Sequence, residues 1–300
     1  MRANGGVIMK NGIRVLAFLF LALPAFSEGR DSSAWELFLF YGLDLHGKTY
    51  AYANSYDPHP GYHISGSYAR QTLNLDPGTG QGITLGIGRT FSGGFGVRLT
   101  AGRRKIALGG ENTPYEYYYL YTLITPPYYE PIETSTYREV DWVPTEGSIG
   151  LTSLSLEAAL RLPVATGVAA ILSAGPSLYF CGGRFAPLGF TEQWLGGHGT
   201  PNLQDYLVHI KLPGGQKLGF HAGVEVSVRL SGSLSLAIKA AYAHTGDFVF
   251  EPEIDEVYYY SSLDPAPEDK VELVRSRFDL RPLTMSFSAA VLGAGLKFEF

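Results

Sequence analysis

Hydrophobic and polar residues alternate with a period of two over much of this chain, and the alternation is clearest at its end. From Ala289 to Phe300, Leu292, Ala294, Leu296, Phe298 and Phe300 share one side, while Gly293, Gly295, Lys297 and Glu299 share the other. Successive strand residues point to opposite faces, so the pattern predicts a β-strand with one apolar and one polar side. Similar alternation predicts earlier strands over 35–46, 82–91, 95–102, 148–162, 168–180, 217–230 and 234–242. Pro176 in the fifth of these predicts a bulge or a strand end. The parity of the pattern breaks near Ser153 and near Gly293.

The connections alternate in length. Ser92–Gly94, Pro163–Gly167 and Ser231–Ser233 make short turns, whereas 47–81, 106–147, 182–215 and 246–281 are long, polar and rich in Tyr, Pro and Gly. Eight strands with all short turns at one end describe an all-β, antiparallel up-and-down transmembrane β-barrel. A strand over 62–75 would make it ten-stranded.

The N-terminal stretch adds an address. Arg2, Lys10 and Arg14 lead into the apolar run 15–26, too short to span a bilayer as a helix and followed by small residues. Residues 1–27 are therefore expected to be a cleaved signal peptide, with Met1 or Met9 as the start, and 28–300 the barrel. The 37 Gly, 20 Tyr and 17 Phe suit crowded interior positions and aromatic girdles, as does the low charged fraction of 17%. A net charge of -5 excludes nucleic acid as a partner, and a single cysteine, Cys181, excludes a disulfide framework or a Cys-based zinc site. No cofactor or metal is expected.

The alternating strands, the turn asymmetry and the terminal Phe300 together resemble the small bacterial outer-membrane barrels of the OmpA, OmpX and OmpW kind. The resemblance implies insertion from the periplasm into the outer membrane, with Phe298 and Phe300 in the C-terminal signal read by the barrel-insertion machinery. It also implies outer-membrane lipid and lipopolysaccharide as surroundings.

On this scheme the polar face lines the interior, which side chains fill in a barrel of about eight strands. Arg98, Glu157, Arg161, His221, Glu225, Arg229, Lys239, Lys297 and Glu299 then point inward. Buried charges must pair, so they are expected to form a salt-bridge network that plugs the lumen. Pairing Leu230 with Leu234 across the last short turn sets Glu225 opposite Lys239. The alternative is a narrow channel for small solutes with a charged constriction. Arg103, Arg104 and Lys105 fall near the outer lipid boundary, where they either form a solvated rim or touch lipopolysaccharide phosphates. The Tyr-rich loops are the candidate surface for an unknown extracellular ligand. An enzyme is the remote reading: His244 is followed by Thr245 and Gly246, without the serine two residues on that outer-membrane lipid hydrolases carry, and no protease motif maps onto the chain.

Overall fold

The computed structural model describes residues 34–46, 49–56, 68–110, 115–124, 131–140, 145–195, 201–261 and 269–300. The expected signal peptide lies outside the described residues, as do parts of the four long connections.

In chain order the strands are β1 (Ala34–Leu45), β2 (Tyr50–Tyr56), β3 (Tyr68–Thr90), β4 (Phe95–Gly110), β5 (Tyr115–Ile124), β6 (Pro131–Val140), β7 (Thr145–Ala165) and β8 (Val168–Leu195). Then follow β9 (Pro201–Arg229), β10 (Leu234–His244), β11 (Asp247–Phe250), β12 (Glu253–Ser261), helix α1 (Lys270–Arg277), β13 (Phe278–Asp279), β14 (Leu283–Ser286) and β15 (Ala289–Glu299). Among the described residues eight of them close a ring in the order β1-β15-β10-β9-β8-β7-β4-β3, with β3 returning to β1 over Ala34↔Thr90 to Asp44↔Gly80. All neighbours in the ring are antiparallel. The fold is thus an eight-stranded up-and-down barrel. Closure joins β1 to the end of β15 through two backbone hydrogen bonds of 2.9 Å between Trp35 and Phe300, one in each direction.

The outside of the ring is apolar. Leu37, Leu39, Leu43, Ile83, Leu85, Leu172, Val224, Val226, Ile238, Leu292 and Leu296 are all exposed. A continuous belt of that kind is unfavourable in water and favourable against hydrocarbon. The short turns carry the backbone freedom they need: Gly93 and Gly94 at φ 81° and 83°, and Gly167 at φ 75°, sit where a side chain would be strained.

Above the belt the segments expected as loops continue as strands. The β8–β9 hairpin runs on to Leu195↔Pro201. Strand β2 pairs with the upper half of β3, β12 pairs with the upper half of β9, and β5 joins β3 to β6. Of the strand considered over 62–75, the described residues 68–75 form the upper part of β3, a longer wall that adds nothing to the ring. The two ends of the fourth connection turn inward, while β12 and β13 join the walls. Its two-stranded β11–β14 sheet puts Phe248, Phe250 and Met285 into the barrel mouth, where Phe287 joins them with ring centroids 5.9 to 6.4 Å apart.

Two local expectations are corrected. Pro176 makes neither bulge nor end: it faces outward in mid-strand, in register with Phe220 on β9, and the β7 ladder passes from Ser155↔Ser177 to Ala158↔Ala174 around its missing N–H. The parity breaks at Ser153 and Gly293 are also absent. In β7 the inward row runs unbroken through Ile149, Leu151, Ser153, Ser155 and Glu157, and in β15 through Val291, Gly293, Gly295 and Lys297. What changes is the lining of the barrel, charged below and apolar above.

Candidate functional site

Strand parity sends Glu36, Phe38, Phe40 and Asp44 inward from β1, Arg98, Thr100 and Arg104 from β4, and Glu157 and Arg161 from β7. His221, Glu225 and Arg229 come from β9, Lys239 from β10, and Lys297 and Glu299 from β15. Room for them is made by glycines in the same layers. A Cβ on Gly86 would overlap the Phe38 ring, and one on Gly88 would meet Glu36 Oε1 at 2.6 Å.

Most charges pair across the lumen and not with the residue opposite them on the ladder, and Lys297 reaches Glu36 on the adjacent strand at a two-residue offset. Glu225 stands opposite Lys239 in register, yet its carboxylate accepts from Arg98 Nη1 at 2.8 Å and from Lys297 Nζ at 3.0 Å. The same two cations bind Glu36, Arg98 through Nε and Lys297 at 2.9 Å. Glu36, Arg98, Glu225 and Lys297 thus form an alternating quartet, all 3% exposed or less, with the guanidinium 5.0 Å above the centre of the Phe38 ring. A delocalised fork suits this position, since it serves two carboxylates and one aromatic face together.

Smaller clusters lie on either side of the quartet. Toward the short turns, Glu299 takes Arg161 at 2.8 Å and Arg229 at 3.4 Å. Toward the mouth, Glu157 meets His221 Nδ1 at 3.1 Å, Thr100 Oγ1 at 3.3 Å and Lys239 at 3.8 Å, and beyond it Arg104 binds Asp44 at 3.2 Å. Lined among others by Thr100, Arg104, Ser155, His221 and Lys239, a cavity of about 30 Å³ remains, the scale of a water molecule. Above it the Phe248, Phe250 and Phe287 cluster fills the mouth.

All nine residues expected in the interior take part in these clusters. Sequence reasoning left out Glu36 and Asp44, whose signal was present as carboxylates at inward parity on an otherwise apolar strand. Arg104 is a correction. The three consecutive cations expected at the outer boundary cannot share a face on a strand. Arg103 and Lys105 are exposed on the outside, but Arg104 turns inward to Asp44 and is lost to lipopolysaccharide.

The histidines also find places. His221 is buried against Glu157 beneath the filled mouth. His244 Nδ1 lies 3.3 Å from Ser288 Oγ, a serine supplied by the segment entering β15 and not by the two-residue spacing sought in the sequence. That hydroxyl also accepts the Thr245 N–H at 3.2 Å and bonds Ser286 Oγ at 3.1 Å, so it ties together the join between the ring and the mouth. Among the described residues no carboxylate lies within 4 Å of the His244 ring. Phe298 and Phe300 are exposed on the outer face with ring centroids 6.2 Å apart.

No protein-family model and no curated protein matches the chain. Among solved structures it is similar to the outer membrane protein OprG from Pseudomonas aeruginosa, with 10% identity over 91% of this chain and 98% of that one and a TM-score of 0.43. It is also similar to a major outer membrane protein from Thermus thermophilus, at 14% identity over 90% and 100% with a TM-score of 0.38. The attachment invasion locus protein Ail of Yersinia pestis follows, at 9% identity over 90% and 100% with a TM-score of 0.34. At such TM-scores these likenesses carry no argument, and the fold rests on the strand ring itself.

Proposed function

We propose that this protein is a non-conducting barrel of the bacterial outer membrane that anchors a strand-built surface projection, with a structural or surface-binding role. The observation that carries the reading is the double filling of the interior. A salt-bridged layer around Arg98 occupies the lower barrel and the Phe248, Phe250 and Phe287 cluster its mouth. A channel would keep a hydrated path between its charged rings.

The same reading makes the apolar belt the lipid contact, and Arg103 and Lys105 a contact for lipopolysaccharide phosphates. It makes Phe298 and Phe300 the mark for the insertion machinery and residues 1–27 the export signal. The extended β5–β6 and β8–β9 ribbons are the surface offered to an extracellular ligand. Catalysis has no part in it: His221 is enclosed, and Ser288 serves the join beside His244.

Planar-bilayer recording on protein whose folding is verified by its gel mobility before heating tests the proposal. Insertion without stepwise conductance is the expected result. Steady, sizeable conductance would support the narrow solute channel instead.

A further inference from the structure

The lumenal cavity of about 30 Å³ beneath the aromatic mouth has a wall of one electrostatic sign. Arg104 from β4 and Lys239 from β10 both line it, together with the hydroxyls of Thr84, Thr100, Ser153 and Ser155. Among the described residues no carboxylate belongs to the lining, and the partners of the two cations, Asp44 and Glu157, are not part of it. Much of the remaining wall is apolar side chain or glycine backbone, as at Phe40, Val291 and Gly42. Two cations at the wall of one low-dielectric cavity repel each other, and an anion between them is attracted to both.

The donors around this cavity are largely uncommitted. Lys239 is 8% exposed, yet its ammonium makes no hydrogen bond among the described residues; Glu157 Oε2 lies 3.8 Å away, beyond hydrogen-bond reach. Arg104 gives Nη1 to Asp44 at 3.2 Å and makes no other hydrogen bond among the described residues, so most of its N–H groups have no acceptor. Ser155 accepts the Ser177 hydroxyl at 2.7 Å, which leaves its own O–H to donate. Thr100 differs, because its hydroxyl already donates to Glu157 at 3.3 Å. A buried ammonium without acceptors is costly. A water molecule would need acceptors for its own two hydrogens, whereas the two cations of the lining only donate.

We infer that this cavity binds a single halide ion, chloride or bromide. Volume sets the class of ligand: the space is about that of one water molecule, enough for a monatomic anion and too small for phosphate, sulfate or a carboxylate. Lys239, Arg104 and Ser155 donate to the ion. Charge balance is met within the same cluster. Asp44 and Glu157 offset Arg104 and Lys239 two against two, and His221, which lines the cavity and meets Glu157 through Nδ1 at 3.1 Å, adds a third cation when protonated. The bound ion then ties β4, β7 and β10 together and completes the filling of the lumen.

Two measurements on the full-length folded protein test this. Crystals grown in bromide should show one anomalous peak in the cavity, within hydrogen-bond reach of Lys239 Nζ and Ser155 Oγ. A cavity without that peak, holding water only, overturns the inference. The second measurement is urea unfolding in phospholipid vesicles at constant ionic strength, with bromide or chloride replacing gluconate, an anion too large for the cavity. Once the site is mostly filled, each further tenfold rise in halide should raise the folded-to-unfolded ratio about tenfold, as one ion per chain requires. Ser155→Ala removes one donor to the ion and should weaken halide binding about tenfold. Lys239→Gln should abolish the halide dependence; if that variant does not fold, Ser155→Ala and the bromide crystals still decide. Arg229→Gln, at the short-turn end of the lumen, should leave the dependence intact. A halide dependence that is absent from the unaltered protein, or that persists unchanged in Ser155→Ala as a bulk salt effect would, overturns the inference.

Discussion

Replacing Arg98 by Met keeps much of the length of the side chain and removes its charge and its donors. Glu36 and Glu225 are then left sharing Lys297, the single remaining cation within 4 Å of either among the described residues. Arg98 is 2% exposed and so are its surroundings, and breaking a buried pair by removing one partner costs about 3–5 kcal/mol. Arg229→Met is the matched control. Arg229 binds Glu299 at 3.4 Å, but its side chain is 49% exposed and Glu299 keeps Arg161 at 2.8 Å, so the loss should be about 0–1 kcal/mol. The assay is urea unfolding of protein refolded into phospholipid vesicles, followed by circular dichroism and gel mobility. Adding Glu225→Gln to Arg98→Met should recover part of the loss, because it removes the stranded charge. If Arg98→Met costs no more than Arg229→Met, the quartet is hydrated and the lumen is not filled in the sense proposed.

Three further outcomes follow from the packing. Gly86→Ala should lower stability by about 1–3 kcal/mol through overlap with the Phe38 ring, and Phe38→Leu should restore most of it, both read as urea midpoints. Cys181, buried in the apolar upper core, should resist maleimide in the folded protein, while Phe248→Ala, costing about 3–5 kcal/mol, should open the mouth and speed its labelling. Deleting Phe300 removes two 2.9 Å backbone bonds to Trp35 at the barrel seam; membrane insertion in cells should fall more than the urea midpoint of the inserted protein, and equal losses would remove the case for a recognition role.

The ring was legible because each strand obeys one rule, alternation, and one constraint, that one face meets hydrocarbon. Ile238 and Lys239, or Phe298 and Lys297, state their faces without help from the rest of the chain. The interior was legible only as a set of residues. Which carboxylate takes which cation depends on the width of the barrel and the length of the side chains, so the ladder pair Glu225 and Lys239 is passed over for partners across the lumen.

The upper barrel misled the reading for a more general reason. A hydrophobic parity rule assumes that the side facing the core keeps one chemistry, and here it inverts partway along the axis. Below, inward positions such as Glu157 and Lys297 are charged and outward ones meet lipid; above, inward positions such as Ile149, Leu151 and Val291 are apolar and outward ones meet water. Each strand crossing that level shows a false break at the point of exchange, as at Ser153 and Gly293. Beyond it the period-two signal weakens with the polar and aromatic residues of the projecting strands, and segments that continue the wall look like loops. The residues that mark the exchange also end the apolar belt on the outer face. Arg103 and Lys105 stand outward where Ile106 and Leu108 turn inward on the same strand, β4, so outer cations and inner aliphatics mark the same level of the wall.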